Sequence, residues 1–482
     1  MAKEPLISRR SFLKKTALLN MALVLDACGG SSSGMGSSSS SGTGSSSSSN
    51  KGIYDGVIQV GTGANSNRFV NGAGEVIQLR GANMSGLETT AVHGWTTDPW
   101  GDDGGTPDWA AYATWKPNIV RLPLCAPSWM GWNVAPTTGA ERSPSWGTVR
   151  SADPGSNYRQ VVIAAVAAAQ AIGCYVIIDL HWTSPQLTLG GVTHYLIPDG
   201  QSAFADVSSA IPFWQSIAQT FGTQATPATA GINNKGIMFE LFNEPYMNQN
   251  GGVITTAKGG GSALTADEIL GQGGWSNSLI NWSQPGSNFV IYQDWEVAGY
   301  QQMLDTVRAT GAKNICIVNG NYYTQDLTAY QTYKPTDSLN QIAFGWHPYV
   351  QYTTAPNGGY PYSTSPYYFP SCGVIQASTG KANAASLNPA NDVLAAGYPV
   401  ICTEDGGFGG IKATNGEKHM AYMQSWADSS GASYVFWQWN NTQPYGTAAT
   451  NNYLTVFASD GTTILPIRGA GQVTYDWMVN HS

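Results

Sequence analysis

Eight short apolar segments, separated by stretches with helical periodicity, constrain the fold of this 482-residue chain more than any other feature. Each segment has the length and apolar content of a strand that is buried on both faces. Helical patterns lie between them, for example over residues 159–172, 295–310 and 417–429. Strands that alternate with helices in this way form a parallel sheet. The segments cover residues 76–83, 118–124, 175–182, 236–245, 314–321, 342–349, 399–406 and 434–440.

The connections between these elements differ in length according to their direction. Helix-to-strand links such as 171–174 and 396–398 are short, whereas strand-to-helix links such as 246–294 and 350–388 are long. In a (β/α)8 barrel every strand-to-helix loop lies on the C-terminal face, where active sites are found. The sequence therefore predicts an α/β fold, a (β/α)8 TIM barrel with long loops on that face. A hairpin over residues 68–76 is expected to close the opposite end.

The first 52 residues predict export rather than a fold. The segment Ser8–Lys14 resembles a twin-arginine signal, and the apolar run at 16–25 is too short to span a bilayer. Leu25–Cys28 resembles a bacterial lipobox, with Asp26 in place of a small residue, so a lipid tether to the membrane through Cys28 is expected.

The predicted organisation is an export signal at 1–28, a flexible Ser/Gly-rich linker at 29–52 and one folded domain at 53–482. A periplasmic, surface-anchored or secreted monomer is expected.

Composition excludes some functions. Charged residues make up 11% of the chain and the net charge is −8, so a nucleic-acid partner is not expected. The 17 tryptophans offer flat apolar faces of the kind that pack on sugar rings. The sequence has no CxxC pair and no His/Cys cluster with zinc spacing, so neither a metal nor a cofactor is predicted. Cys125, Cys174, Cys316 and Cys402 are expected to be buried small apolar residues, and the odd number of cysteines outside the export segment argues against a full disulfide framework.

Polar and aromatic side chains stand at the C-terminal ends of the predicted strands, so they should converge on one barrel mouth. Alternation along a strand would place Asp179 with His181, and Glu240 with Phe242 and Glu244, on one face. Charged residues are seldom buried unless they are paired or functional. The alternatives are structural ion pairs for the charged residues and a satisfied buried imidazole for either histidine. The candidates are Arg121, His181, Asn243, Glu244, His347, Tyr349, Glu404 and Trp437.

From residue 53 to the C-terminus this pattern resembles glycoside hydrolase family 5, the cellulase family. The most specific part is residues 239–245, which end in the family's Asn-Glu-Pro signature, although Phe242 stands where a polar residue is common. Asp405-Gly406 replaces the Phe-Gly or Trp-Gly pair that often follows the family's nucleophile. The counterparts of the family's other positions are Arg121 in strand 2, His181 in strand 3, His347 and Tyr349 in strand 6, Glu404 in strand 7 and Trp437 in strand 8.

The resemblance implies a retaining mechanism, in which two carboxyl groups ~5 Å apart cleave the glycosidic bond through a covalent intermediate. Glu404 would be the nucleophile and Glu244 the acid and then the base, with its pKa raised by the nearby negative charge. Arg121 and Tyr349 would hydrogen-bond Glu404.

The remaining candidates would bind the substrate. Asn243 would hold the sugar 2-hydroxyl, while His181 and His347 would donate to the substrate or orient their neighbours. Trp437 would form the floor of the subsite beside the cleaved bond. Further stacking platforms are expected at Trp182, Trp346 and Trp439.

The function that this resemblance implies is an endo-β-1,4-glucanase that acts on a β-linked polysaccharide. One alternative keeps the chemistry and changes the sugar, giving a β-mannanase, a xyloglucanase or another β-glucanase. A different alternative is a non-catalytic glycan-binding surface lipoprotein, which would be expected to lack one of the two carboxylates. The sequence gives no support for a separate carbohydrate-binding module.

Overall fold

The structure is a computed structural model, and the residues that it describes all belong to one compact unit at Asn50–Ser482. The predicted export signal, Cys28 and the Ser/Gly-rich linker lie outside the described residues. Within those residues, no helix combines the length and the apolar character needed to cross a membrane. The described ranges are 54–89, 97–100, 105–136, 150–189, 192–197, 202–246, 254–276, 294–349, 387–406, 413–439, 455–457, 464–466 and 470–481.

Eight parallel strands close into a barrel, as predicted, with β1 paired to both β2 and β8 and every other strand paired to its neighbours in sequence. The first strand begins at Arg80 rather than at residue 76, because Val76–Ile77 pairs antiparallel with Phe69–Val70 instead. The strands are β1 (Arg80–Met84), β2 (Ile119–Cys125), β3 (Tyr175–Trp182), β4 (Ile237–Glu240), β5 (Cys316–Asn319), β6 (Ile342–Trp346), β7 (Val400–Cys402) and β8 (Ser433–Trp439).

A helix follows each strand, which completes the (β/α)8 TIM barrel. The predicted helices at 159–172 and 417–429 are confirmed as α2 and α7. The eight are α1 (Trp109–Ala113), α2 (Tyr158–Ala171), α3 (Val207–Phe221), α4 (Tyr300–Ala309), α5 (Tyr330–Tyr333), α6 (Asn388–Ala395), α7 (Ala413–Ser430) and α8 (Ala470–Asn480). Shorter helical segments cover Ala126–Met130, Ala266–Gln272 and Asn321–Thr324.

Alternation along the strands divides the core in two. In β3, Val176 and Ile178 pack in the large cluster that includes the helices, while Tyr175 and Ile177 pack in the cluster inside the barrel. Asp179 continues the inward face and is fully buried. The barrel interior is therefore apolar near the N-terminal ends of the strands and polar nearer their C-terminal ends.

A small antiparallel sheet closes the N-terminal end of the barrel, as the hairpin prediction required. Its strands are Gln59–Val60, Phe69–Val70 and Val76–Ile77. Phe69 and Ile77 from this sheet pack in the same cluster as Tyr175 and Ile177, which face the interior near the N-terminal end of β3. The interior near the N-terminal ends of the barrel strands is thereby filled with apolar side chains.

The strand-to-helix loops contain structure that the sequence analysis did not predict. One four-stranded sheet joins Asn133–Pro136 and Arg150–Ser151, after β2, to Gln186–Leu189 and Val192–Ile197, after β3. A second lies between β4 and α4 and is formed by Ile254–Ala257, Gly260–Ala263, Gly274–Ser276 and Trp295–Val297. Two further short strands, Thr455–Phe457 and Ile464–Pro466, pair after β8.

One predicted helix boundary is wrong. The helix expected from residue 295 begins at Tyr300, because Trp295–Val297 is a strand paired with Gly274–Ser276. Its side chains are buried, exposed and buried in turn, which is the period of a strand and not of a helix.

Gly81 tests how closely the first two barrel strands approach. A Cβ at this position would lie 1.9 Å from the carbonyl oxygen of Ile119 in β2. Gly81→Ala is therefore expected to lower the free energy of unfolding by ~3 kcal/mol or more, the upper end of the usual cost of overpacking, measured by urea denaturation. Gly131→Ala, where φ is +68° and a Cβ would meet no atom within 4 Å, should cost only ~1–2 kcal/mol. Equal losses at both positions would contradict the close approach.

Candidate active site

Arg121 in β2 lies at the centre of the polar layer inside the barrel and is fully buried. Its guanidinium contacts the carboxylates of Asp179, Glu240 and Glu404 at 2.9, 2.6 and 2.6 Å. It also donates to the Oδ1 atoms of Asn83 and Asn243 at 2.8 and 2.7 Å. One positive group in β2 thus fixes side chains from β1, β3 and β4 and from the segments that follow β4 and β7.

Glu404 and Glu244 meet above this layer. Glu404 follows β7, and its Oε1 accepts from Arg121 while its Oε2 accepts from the Tyr349 hydroxyl at 3.1 Å. Glu244 follows β4, and its Oε1 lies 2.7 Å from Nδ1 of His347. One ligand atom each from Glu244, His347 and Glu404 lie within 4.8 Å of one another. The two carboxylates are therefore neighbours, and Glu404 makes the contacts with Arg121 and Tyr349 that were predicted.

Asn243, His181 and Trp437 form a second side of the site. Asn243 Oδ1 accepts from Arg121, so its Nδ2 faces Nε2 of His181 at 3.3 Å. The other ring nitrogen of His181 lies 2.7 Å from Asp179. The Trp437 ring stacks on His181 with centroids 5.6 Å apart and an angle of 13° between planes. All eight candidate residues are thus brought together at one end of the barrel.

Burial controls the protonation of these groups. It lowers the pKa of both His181 and His347 to about 4, although the Glu404 charge opposes the shift, so both rings are neutral near pH 7. Burial also raises the pKa of Glu404 above its ordinary value, while the surrounding His347 and Arg121 side chains act in the opposite direction. The donors facing both oxygens of Glu404 favour its ionised form.

Four residues of the polar layer were not predicted as site residues from the sequence, and for one of them, Glu240, a structural ion pair was the alternative. They are Asn83, Glu240, Asn319 and Thr403. Glu240 accepts from Arg121, Asn319 and Thr403 at 2.6, 2.8 and 2.8 Å. Asn83 donates to the carbonyl oxygens of Thr403 and Phe436. Each of these residues continues the inward face of its strand at the level of Arg121. That register is the signal that would have identified them.

The sequence as a whole matches a known family. Residues 70–443 match the model of the family described as cellulase (glycosyl hydrolase family 5), which is well over half of the chain. The chain belongs to glycoside hydrolase family 5.

Several solved structures of low sequence identity are similar to this chain over most of its length. An endo-β-1,4-glucanase of Xanthomonas axonopodis pv. citri, carrying three substitutions, is 14% identical with a TM-score of 0.49 over 84% of this chain and 100% of that one. A hyperthermostable endocellulase is 16% identical with a TM-score of 0.49 over 89% and 100%. The alkaline cellulase K catalytic domain is 17% identical with a TM-score of 0.47 over 88% and 94%. No curated protein matches the sequence.

The departure from the family-5 pattern at Asp405 has a structural explanation. Asp405 is fully buried, and both of its carboxylate oxygens contact Nε2 of His419 in α7, at 2.9 and 2.7 Å. Tyr434 and the backbone N–H of Gly406 also donate to this carboxylate. The Asp405 carbonyl accepts from the N–H of Trp437 at 2.8 Å. The acid therefore fits behind Glu404 because a histidine partner is present, and it ties β7 to β8.

Three predictions about individual side chains are wrong in this family-5 barrel. Phe242 does not share a face with Glu240 and Glu244, because β4 ends at Glu240 and the chain bends, which places Phe242 in the core outside the barrel. Trp346 and Trp439 are not stacking platforms. Both are at most 3% exposed and pack edge-on against other aromatic rings of the core. Trp182 is 9% exposed at the end of β3.

Cys125, Cys174, Cys316 and Cys402 are buried, as expected, and their thiols are free. Metal binding is a second reading of the Glu244, His347 and Glu404 group, because three such atoms close together can surround a cation. Here the facing nitrogen of His347 is occupied by Glu244, and both Glu404 oxygens accept hydrogen bonds. We therefore interpret the three as a hydrogen-bonded group.

Tyr349→Phe tests the hydrogen bonds around Glu404. Removing the hydroxyl that donates to Oε2 takes away a contact that favours the ionised form, so the pKa of Glu404 should rise further above its ordinary value. The pKa can be followed by ¹³C NMR of labelled glutamate carboxyls, with Glu404→Gln to assign the signal. Tyr158→Phe removes a buried hydroxyl that contacts Leu87 and Cys125, and should leave the signal unchanged. An unaltered or lowered pKa in Tyr349→Phe would contradict the contact.

Proposed function

We propose that this family-5 protein is a retaining endo-β-1,4-glucanase that hydrolyses a β-linked polysaccharide. The observation that carries the proposal is the approach of Glu244 and Glu404 at the C-terminal mouth of the barrel, with one oxygen of each within 4.8 Å of the other. An inverting enzyme needs a gap of ~6.5–9.5 Å between its carboxyl groups so that a water fits between them. The shorter separation favours direct attack by one carboxylate.

In the first step Glu404 would attack the anomeric carbon while Glu244 gives its proton to the glycosidic oxygen. Two donors, Arg121 on Oε1 and Tyr349 on Oε2, support Glu404 as the nucleophile, since they orient the carboxylate and favour its charge. Glu244 Oε1 lies 2.7 Å from Nδ1 of the neutral His347. Glu244 is 9% exposed and Glu404 only 4%, so Glu244 is the carboxyl group that we assign to protonate the leaving oxygen.

In the second step a water would displace Glu404 from the sugar and lose its proton to Glu244. Formation of the ester removes the negative charge of Glu404, which allows Glu244 to ionise and act as the base. Asn243 would hold the sugar 2-hydroxyl through Nδ2, because its Oδ1 already accepts from Arg121. Trp437, stacked on His181, would carry the sugar ring at the cleaved bond.

Removal of either carboxylate is expected to lower turnover strongly. On a soluble β-1,4-glucan, Glu404→Gln should lower the release of reducing ends by on the order of 10⁴-fold or more, because the nucleophile is lost. Glu244→Gln should lower it by about 10²–10⁴-fold, the usual contribution of a general acid. Glu75→Gln is the matched control and should retain activity. It removes a carboxylate from the turn between Phe69–Val70 and Val76–Ile77, in the small sheet at the N-terminal end of the barrel.

The same assay on glucan, mannan, glucomannan and xyloglucan separates the alternative substrates, because the sugar cleaved fastest identifies the specificity. Undiminished hydrolysis by Glu404→Gln would contradict the proposed nucleophile. Tight binding of a glycan without turnover by the unaltered protein would favour a glycan-binding protein instead.

A further inference from the structure

The protonation of Glu240 can be assigned from its contacts. Its Oε2 accepts from Arg121 Nε at 2.6 Å, and its Oε1 accepts from Asn319 Nδ2 at 2.8 Å. Burial would raise the pKa of Glu240, but the Arg121 charge and these hydrogen bonds outweigh it and hold the pKa below its ordinary value. Glu240 is therefore an ionised carboxylate and acts only as an acceptor.

The hydroxyl of Thr403 transmits this constraint. Its Oγ1 lies 2.8 Å from Oε1 of Glu240 and 3.0 Å from Nε2 of His347. A hydroxyl has a single proton to donate, and an ionised carboxylate can only accept. Thr403 must therefore donate to Glu240, and the contact with His347 is a hydrogen bond only if Nε2 of the ring is the donor.

His347 then has an unprotonated nitrogen facing Glu244. The ring is fully buried and neutral near pH 7, because burial lowers its pKa to about 4, so a proton on Nε2 leaves Nδ1 as an acceptor. Nδ1 lies 2.7 Å from Oε1 of Glu244. Two acceptors do not approach so closely, and the proton between them belongs to Glu244.

We propose that Thr403 and Glu240 are positioning residues that keep the proton of neutral His347 on Nε2, so that its Nδ1 holds Glu244 in the acid form before the first chemical step. The inference rests on the proposed function, in which Glu244 is the acid. In that step the Glu244 O–H bond breaks and its proton goes to the glycosidic oxygen. In the second step a proton from water restores the O–H bond, which the facing lone pair of Nδ1 favours.

Other ionisable groups surround this chain of hydrogen bonds, and a test must keep their charges in place. Apart from Glu244, the carboxylate that lies near His347 is Glu404, with Oε2 3.7 Å from Nδ1. The valine side chain has nearly the shape of threonine, so among these groups Thr403→Val directly alters only Glu240, which loses the hydrogen bond from the hydroxyl but keeps those from Arg121 and Asn319. The groups whose charges act on His347 or Glu244 are Arg121, Asp179, His181, Glu240, Tyr349, Glu404 and Asp405.

Thr403→Val in the full chain is the first test. Without the Thr403 oxygen to accept from Nε2, the His347 ring is free to carry its proton on Nδ1 and to donate it to ionised Glu244. This hydrogen bond would favour the ionised form of Glu244. The basic limb of the pH profile of kcat/KM on a β-1,4-linked oligosaccharide should then move to lower pH by roughly one unit. Thr403→Ser keeps the hydroxyl and should restore the unaltered profile. An unmoved basic limb in a folded, active Thr403→Val protein would overturn the proposal.

The tautomer of His347 gives a second test that does not depend on turnover and is read in the unaltered protein. In the unaltered protein labelled with ¹⁵N-histidine, Nε2 of His347 should resonate as a protonated nitrogen and Nδ1 as an unprotonated one at pH 6–7, assigned with His347→Gln. A protonated Nδ1 would overturn the inference even in an active enzyme. Loss of activity on all glycans, with the expected tautomer, would instead contradict the proposed function alone.

Discussion

The buried guanidinium of Arg121 is the interaction on which the site depends. Three carboxylates and two asparagine side chains converge on this one group, and each of the carboxylates of Asp179 and Glu240 is fully buried. A buried carboxylate that loses its partner costs about 3–5 kcal/mol, so these residues are held in place by the same charge that they neutralise. The buried carboxylates and the buried guanidinium thus stabilise one another in the barrel interior.

This arrangement explains how two carboxyl groups can lie side by side and perform different tasks. Arg121 and Tyr349 donate to Glu404, whereas Glu244 faces a neutral imidazole. Two carboxyl groups at such a separation cannot both ionise without a large energetic penalty. The hydrogen bonds from Arg121 and Tyr349 therefore decide that Glu404 carries the charge. Glu240, which sits below them, sets the direction of the hydrogen bonds that reach Glu244 through Thr403 and His347.

Much of the fold was predictable, because buried parallel strands and their crossover helices leave a clear pattern. All eight barrel strands and the convergence of residues such as Arg121 and Glu404 followed from that pattern and from the position of polar residues at strand ends. Membership of the family confirms the resemblance that the Asn-Glu-Pro segment indicated. Loop strands such as Trp295–Val297 were missed because they are short and pair only with other loop residues.

The failures at the site have three physical causes. Alternation along a strand is reliable only while the strand continues, and β4 ends at Glu240, so Phe242 and Asn243 take directions that the pattern does not predict. Trp346 and Trp439 face the helices, where a tryptophan is simply core. Thr403 and Asn319 look unremarkable in sequence, since their importance comes from a register between strands far apart in the chain.

The central claim is that Glu404 attacks the sugar directly, at a separation from Glu244 too small for an intervening water. The configuration of the first-formed product tests it most directly, followed by ¹H NMR of the anomeric proton during hydrolysis of a β-1,4-linked oligosaccharide. The account predicts that the β-anomer appears first and the α-anomer only later, by mutarotation. Initial release of the α-anomer would contradict it.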